Sequence, residues 1–256
     1  MAAPTVLVTR PSAQAAGWVE RLRAAGIDAQ ALPLIAIEPS ADLPALQEAW
    51  RGLSARALVM FVSPNAVTGF FAARPADASW PEALRAGATG PGTVEALVAA
   101  GVARARCVAP KGPPYDSAAL WRQLQAEPWP GRSVLIVRGD GGRDEFAQAL
   151  RDSGAQVDFV SAYQRSTPTW SAAERARAEA ALAAPEAHVW LLSSGEAVGH
   201  LERLLPQARW QASRALASHE RIAARAREAG FGQVSEVPPT LEAIVAALSG
   251  AAKAAP

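Results

Sequence analysis

Six short segments place hydroxyl, glycine and arginine residues directly after an apolar run and just before a helix-forming stretch. They cover 9–12, 63–65, 90–93, 138–143, 193–196 and 218–221. A turn of this kind at the start of a helix offers free backbone N–H groups and about half a positive charge, which suits anions. Each turn alone has a plainer explanation, since every helix needs a cap. The array of six suggests a ligand with several spread-out acidic groups. The richest turn is Gly139-Asp140-Gly141-Gly142, where the glycines allow a tight bend around Asp140, a good N-cap type. It is not the G-x-G-x-x-G dinucleotide fingerprint, and no Gly-Lys-Ser/Thr follows to make a P-loop. Tyr163 is one of only two tyrosines. Its phenol could donate a proton in a partly desolvated cleft, or could simply be a packed side chain with a satisfied hydroxyl. No nucleophilic triad and no pair of carboxylates on one helix face is evident.

The elements that must position these residues alternate between strand and helix. Residues 5–8, 29–34, 57–62, 85–89, 106–109, 134–137, 157–160, 188–192, 214–217 and 233–237 read as strands, with Tyr163 just beyond the seventh, where it leaves its sheet. Helical periodicity fills most of the intervals, as in Ala15, Trp18, Val19 and Leu22, or Phe146 and Leu150. Alternation of this kind predicts an α/β fold with parallel sheets and right-handed crossovers. Ten strands divide better into two five-stranded sheets than into one. In such sheets the six turns fall at the carboxyl ends of strands, where ligands bind.

An internal repeat supports the division. At an offset of 128 residues, Val6-Leu7 meets Val134-Leu135, Arg10 meets Arg138, Trp18 meets Phe146, Leu22 meets Leu150 and Gly26 meets Gly154. With slightly different offsets, 63–67 matches 194–198, and Ala100-Gly101 matches Ala229-Gly230. The ungapped agreement over a whole strand–helix–strand unit points to duplication.

Composition narrows the classes. The 256 residues are 50% apolar, enough for one large domain or two ordinary ones. The net charge of +1 gives no bulk electrostatic case for nucleic acid or an anionic membrane. Only Lys111 and Lys253 among 25 basic residues are lysine. Cys107 is alone, which excludes an intrachain disulfide, fits a reducing compartment and reads as a buried packing residue. His188, His200 and His219 lack metal-ligand spacing. The first eleven residues do not read as a signal peptide, no apolar run approaches the ~18–20 residues of a membrane span, and only 249–256 has the composition of a disordered tail. A cytoplasmic protein is expected.

The ordered set of VLVTRP (6–11), FVSPNAV (61–67), VLIVRGDGGRDEFAQAL (134–150), AYQR (162–165), LLSSGEAV (191–198) and SHERIAARAREAGF (218–231) resembles the uroporphyrinogen-III synthase family. The likeness covers nearly the whole chain. The turn at 90–93 departs from the family, which usually has a single glycine and a longer small-residue stretch before its threonine. The resemblance implies two similar flavodoxin-like α/β domains, each a five-stranded parallel sheet flanked by helices, joined by a two-stranded linker. Domain one would be 1–35 plus 168–256, the linker strands 36–40 and 161–167, and domain two 41–160. Thin crossings of this kind imply hinge motion.

The resemblance further implies a cyclising lyase of haem and tetrapyrrole biosynthesis, needing neither metal nor cofactor. Its substrate would be hydroxymethylbilane, a linear tetrapyrrole with an acetate and a propionate on each ring, with delivery by the preceding deaminase as a further expectation. Hydroxyl loss gives an azafulvene cation; ring D attacks through its substituted carbon; the spiro intermediate reopens and recloses with ring D inverted. Tyr163 matches the tyrosine placed at hydroxyl departure. Substrate-binding candidates are Thr9, Arg10, Ser63, Asn65, Ala66, Gly90, Thr93, Arg138, Gly139, Asp140, Ser193, Ser194, Ser218, Arg221 and Ile222. A monomer acting on a small molecule, without nucleic acid or membrane, is expected. The alternative from another class is a non-enzymatic two-domain protein that binds a small polyanionic ligand.

Overall fold

The computed structural model describes residues 4–141 and 144–253. Gly142 and Arg143, counted above in the glycine turn, lie outside the described residues. The chain divides into two compact units, Met1–Ala36 with Ser166–Pro256 and Ile37–Arg165.

In chain order the elements begin with β1 (Thr5–Val8), α1 (Ser12–Ala24), β2 (Ala29–Ala31) and β3 (Ala36–Pro39). Then come α2 (Leu43–Arg51), β4 (Leu58–Phe61), α3 (Pro64–Ala72), β5 (Arg85–Ala88), α4 (Pro91–Ala99), β6 (Cys107–Val108) and α5 (Ser117–Leu124). The repeated element follows as β7 (Ser133–Gly139), α6 (Glu145–Asp152) and β8 (Gln156–Ser166). The chain continues with α7 (Ala172–Ala183), β9 (His188–Leu192), α8 (Gly195–Leu204), β10 (Arg214–Ala217), α9 (Glu220–Glu228), β11 (Gln233–Glu236) and α10 (Leu241–Lys253). The helix α10 therefore runs into the stretch whose composition reads as a disordered tail.

Unit one holds a five-stranded sheet in the order β11-β10-β9-β1-β2, parallel throughout. Unit two holds β8-β7-β4-β5-β6, also parallel, with β3 added beside β8 as a sixth strand. The two orders correspond strand for strand once β1 is set against β7, β2 against β8 and β9 against β4. Each unit thus joins one copy of the opening strand–helix–strand to the remainder of the other half. Helix ends repeat as well. Gly26 and Gly154 close α1 and α6 at φ of 78° and 88°, a backbone region that glycine enters at little cost.

Two-sided burial explains the apolar runs. In unit two, Val59, Phe61, Leu135 and Val137 pack against α2, α3 and α4, while Leu58, Met60, Val134 and Ile136 face α5 and α6. In unit one, Val6, Val8, Val189 and Leu191 pack with Trp18 and Leu22 of α1 and Ile244 of α10. Runs buried on both faces lose the period-2 signature and read as continuous apolar segments.

Three local expectations differ. The strand expected over 157–160 extends from Gln156 to Ser166, so Tyr163 lies inside β8, not beyond it. The helix after the glycine turn begins at Glu145 with Asp144 at the N-cap position, so Asp140 does not cap it. Cys107 is half-buried rather than fully buried; burial is the main cause that raises its thiol pKa.

Candidate active site

In each sheet the connections run one way from β1 or β7 and the other way from β9 or β4. The crevice at such a reversal, outside the carboxyl ends of the strands, is the usual ligand site of open α/β sheets. In unit one it lies between β1 and β9. There the Thr9 hydroxyl donates to the Leu191 carbonyl at 2.7 Å, with Thr9 only 1% exposed. That hydroxyl ties two strands together at the crevice. Ser193 and Ser194 follow β9; Ser194 caps α8 by its extended backbone and makes no side-chain cap bond. Ser218, Arg221 and Ile222 follow β10, but the cap of α9 is His219, whose Nδ1 accepts from the Arg221 amide at 3.1 Å. These turns share one edge of one sheet because β1, β9 and β10 are neighbours.

In unit two the reversal lies between β7 and β4, and Tyr163 stands beside it. A bulge between Arg138 and Gly139 shifts the register so that Gly139 pairs with Tyr163. A Cβ built on Gly139 would lie 2.9 Å from two atoms of the Tyr163 ring. The ring therefore rests where only a glycine leaves room. Tyr163 is 6% exposed. Ser63, at the end of β4, caps α3: its Oγ accepts from the Ala66 amide at 3.2 Å and donates to the Tyr163 hydroxyl at 3.4 Å. With its oxygen accepting from Ser63, the phenol keeps its own proton free for a further acceptor.

The other unit-two candidates are placed as follows. Asn65 and Tyr163 line a cavity of about 310 Å³ with Ile37, Leu43, Leu46 and Ala162. Ala66 is fully buried and its amide is engaged by Ser63. Gly90 is the N-cap of α4, with Tyr115 packed against it, and Thr93 is buried in the first turn. Arg138 donates to Asp144 at 2.6 Å and lies over the Phe159 ring. Asp140 is exposed directly after β7. Sequence reasoning missed Thr89, whose hydroxyl donates to the Val62 carbonyl at 3.1 Å. It also missed the cap at His219. Ser218, the better cap type, precedes it, and nothing local favours the imidazole.

No group of three or more His, Cys, Asp or Glu suited to a metal occurs among the described residues. His200 is buried with Nδ1 2.6 Å from the Leu34 carbonyl, a packing role. Among the described residues no helix is long and apolar enough to cross a membrane.

Two duplicated units, each a doubly wound parallel sheet with hydroxyl-bearing and glycine-bearing turns at its ligand edge, define a two-domain α/β protein. A family model described as uroporphyrinogen-III synthase HemD matches residues 16–246. The uroporphyrinogen-III synthase of Salmonella typhimurium is 32% identical over 248 residues, covering 90% of this chain and 93% of that protein. The Escherichia coli uroporphyrinogen-III synthase is 32% identical over 239 residues with the same coverage. The chain belongs to the uroporphyrinogen-III synthase family, cyclising lyases of haem biosynthesis. In fold it is similar to a mutant uroporphyrinogen III synthase of Thermus thermophilus, with a TM-score of 0.58 at 18% identity over 98% of this chain and 99% of that one. The uroporphyrinogen-III synthetase of Helicobacter pylori gives 0.57 at 15% identity, over 97% and 99%.

Proposed function

We propose that this chain closes hydroxymethylbilane to uroporphyrinogen III, with inversion of ring D and loss of water. The observation that carries the mechanism is Tyr163, held between Ser63 and Gly139 at the ligand edge of unit two. The Tyr163 phenol gives its proton to the departing hydroxyl, which leaves as water and generates the azafulvene cation. Ring D then attacks through its substituted carbon, and the spiro intermediate fragments and recloses. Hydroxyls, amides and arginines on the strand-end turns hold the acetates and propionates. Unassisted closure gives the uninverted isomer, so the protein's main contribution is to position the substrate.

Family membership does not favour the non-enzymatic binding protein. We further propose domains at 1–35 plus 168–256 and 41–160, with 36–40 and 161–167 as linker strands. The protein acts as a cytoplasmic monomer that receives its substrate from the preceding deaminase and needs no metal, cofactor, nucleic acid or membrane.

The test is to supply hydroxymethylbilane, oxidise the products and separate the porphyrin isomers. Type III should predominate. Type I alone, as formed without protein, would sink the proposal.

A further inference from the structure

The end of β1 carries a guanidinium with nothing to neutralise it. Arg10 lies over the Trp18 ring at 5.0 Å, and Arg21 lies over the same ring at 4.2 Å. Among the described residues neither arginine has an ion pair, and the buried Nε of Arg10 has no hydrogen-bond partner. The Nε of Arg21 donates to the Gly17 carbonyl at 3.3 Å. Burial lowers the Arg10 pKa, and Arg21 lowers it further. A partly desolvated cation beside a second cation is unfavourable until an anion joins them.

The duplication supplies an internal comparison. Arg138, the match of Arg10, also lies over an aromatic ring, Phe159 at 4.0 Å, and Arg151 lies over that ring at 5.3 Å. There a carboxylate is present, since Asp144 accepts from Arg138 at 2.6 Å. At the same 128-residue offset the first copy has Ala16 in place of Asp144. The rings and second arginines are not matched by the repeat, since Trp18 corresponds to Phe146 and Arg21 to Ala149, but the first arginine is: Arg138 has a carboxylate of its own and Arg10 has none at the matching position.

We propose that Arg10 and Arg21, mounted on Trp18, form a carboxylate-binding fork whose occupant is an acetate or propionate of the tetrapyrrole. The occupant rests on the function proposed above; the pairing of two unneutralised cations does not. A substrate carboxylate does for Arg10 what Asp144 does for Arg138. The planar guanidinium can take it in bidentate fashion.

The test uses the full chain, with KM, kcat and anaerobic affinity for uroporphyrinogen III as readouts. Arg10→Gln removes the cation. Gln14→Glu keeps every cation and adds a carboxylate one helical turn before Trp18, on the same face. Arg175→Gln removes an equal charge from an exposed position on α7 of the same unit. In the first two variants, KM and the product Kd should rise about tenfold or more, with kcat within a few-fold of wild type. Their thermal midpoints should not fall, because each relieves an unpaired cation. Arg10→Lys should recover part of the affinity, and Arg175→Gln should match wild type. Unchanged KM and product affinity in Arg10→Gln, or normal binding by Gln14→Glu, would overturn the fork. A wild type that makes no type III isomer would instead overturn the function and, with it, the tetrapyrrole as occupant.

Discussion

Tyr163 shows how chemistry at one position depends on what its neighbours lack. Removing only the hydroxyl, in Tyr163→Phe, should lower kcat by about 10²-fold while product affinity is retained, as expected for a lost proton donor. Unchanged turnover would remove that role. Gly139→Ala tests the contact beneath the ring. The φ of Gly139 is not positive, so the variant adds only a methyl that meets the ring at 2.9 Å. Turnover should fall about tenfold or more with little change in stability. A fully active Gly139→Ala would mean that the ring can move without consequence. Tyr163 and the two flanking motifs were legible in the sequence because each is a local pattern. Their meeting was not, because the bulge that pairs Gly139 with Tyr163 and the reach of Ser63 across a hundred residues belong to strand pairing. The Arg10 and Arg21 pair escaped for the same reason, since nothing in TRPSAQAAGWVERL says that both arginines lie over one tryptophan.

At the scale of elements, close packing of α3 on β8 sets the position of the strand that carries Tyr163. A Cβ on Gly69 would sit 2.1 Å from the Ala162 carbonyl oxygen. Gly69→Ala must therefore push α3 off the strand, at a cost of about 1–3 kcal/mol, visible as a thermal midpoint several degrees lower. Gly17→Ala on α1 meets nothing within 4 Å and should raise stability by about 0.5–1 kcal/mol. Equal effects from both would refute the packing argument. The α7 capping box adds a pH dependence. Hydrogen bonds from the Ser171 amide and hydroxyl hold the Glu174 carboxyl below its ordinary range. A lowered pKa stabilises the fold above the unfolded carboxyl's range, and that gain disappears as pH falls through the lowered value. Glu174→Gln should therefore lower the midpoint near neutral pH and converge on wild type in acid. Most elements were legible from apolar runs and caps, but β8 was cut short. Ser161, Gln164 and Arg165 interrupt its apolar pattern, and its pairing with β7 and β3 is what makes them strand.

On the scale of the whole molecule, the duplication was legible because both copies kept their strand, cap and core residues. Which copy sits in which sheet does not follow from the repeat itself, since that is a choice of partner for an edge and each opening strand offers the same apolar face; only the family resemblance implied an exchange. The exchange has a consequence for how the chain is made. Unit two is one uninterrupted segment, Ile37–Arg165, whereas unit one needs both ends of the chain. Residues 5–31 leave the ribosome well before residue 188, but β1 pairs with β9, which begins at His188. Through the synthesis of more than half the protein, the apolar Val6, Leu7 and Val8 wait with one strand edge unpaired, the kind of edge that recruits other chains. Residues 5–8 are thus among the last to fold, and a released chain ending near residue 180 would carry a finished second unit and an unfinished first.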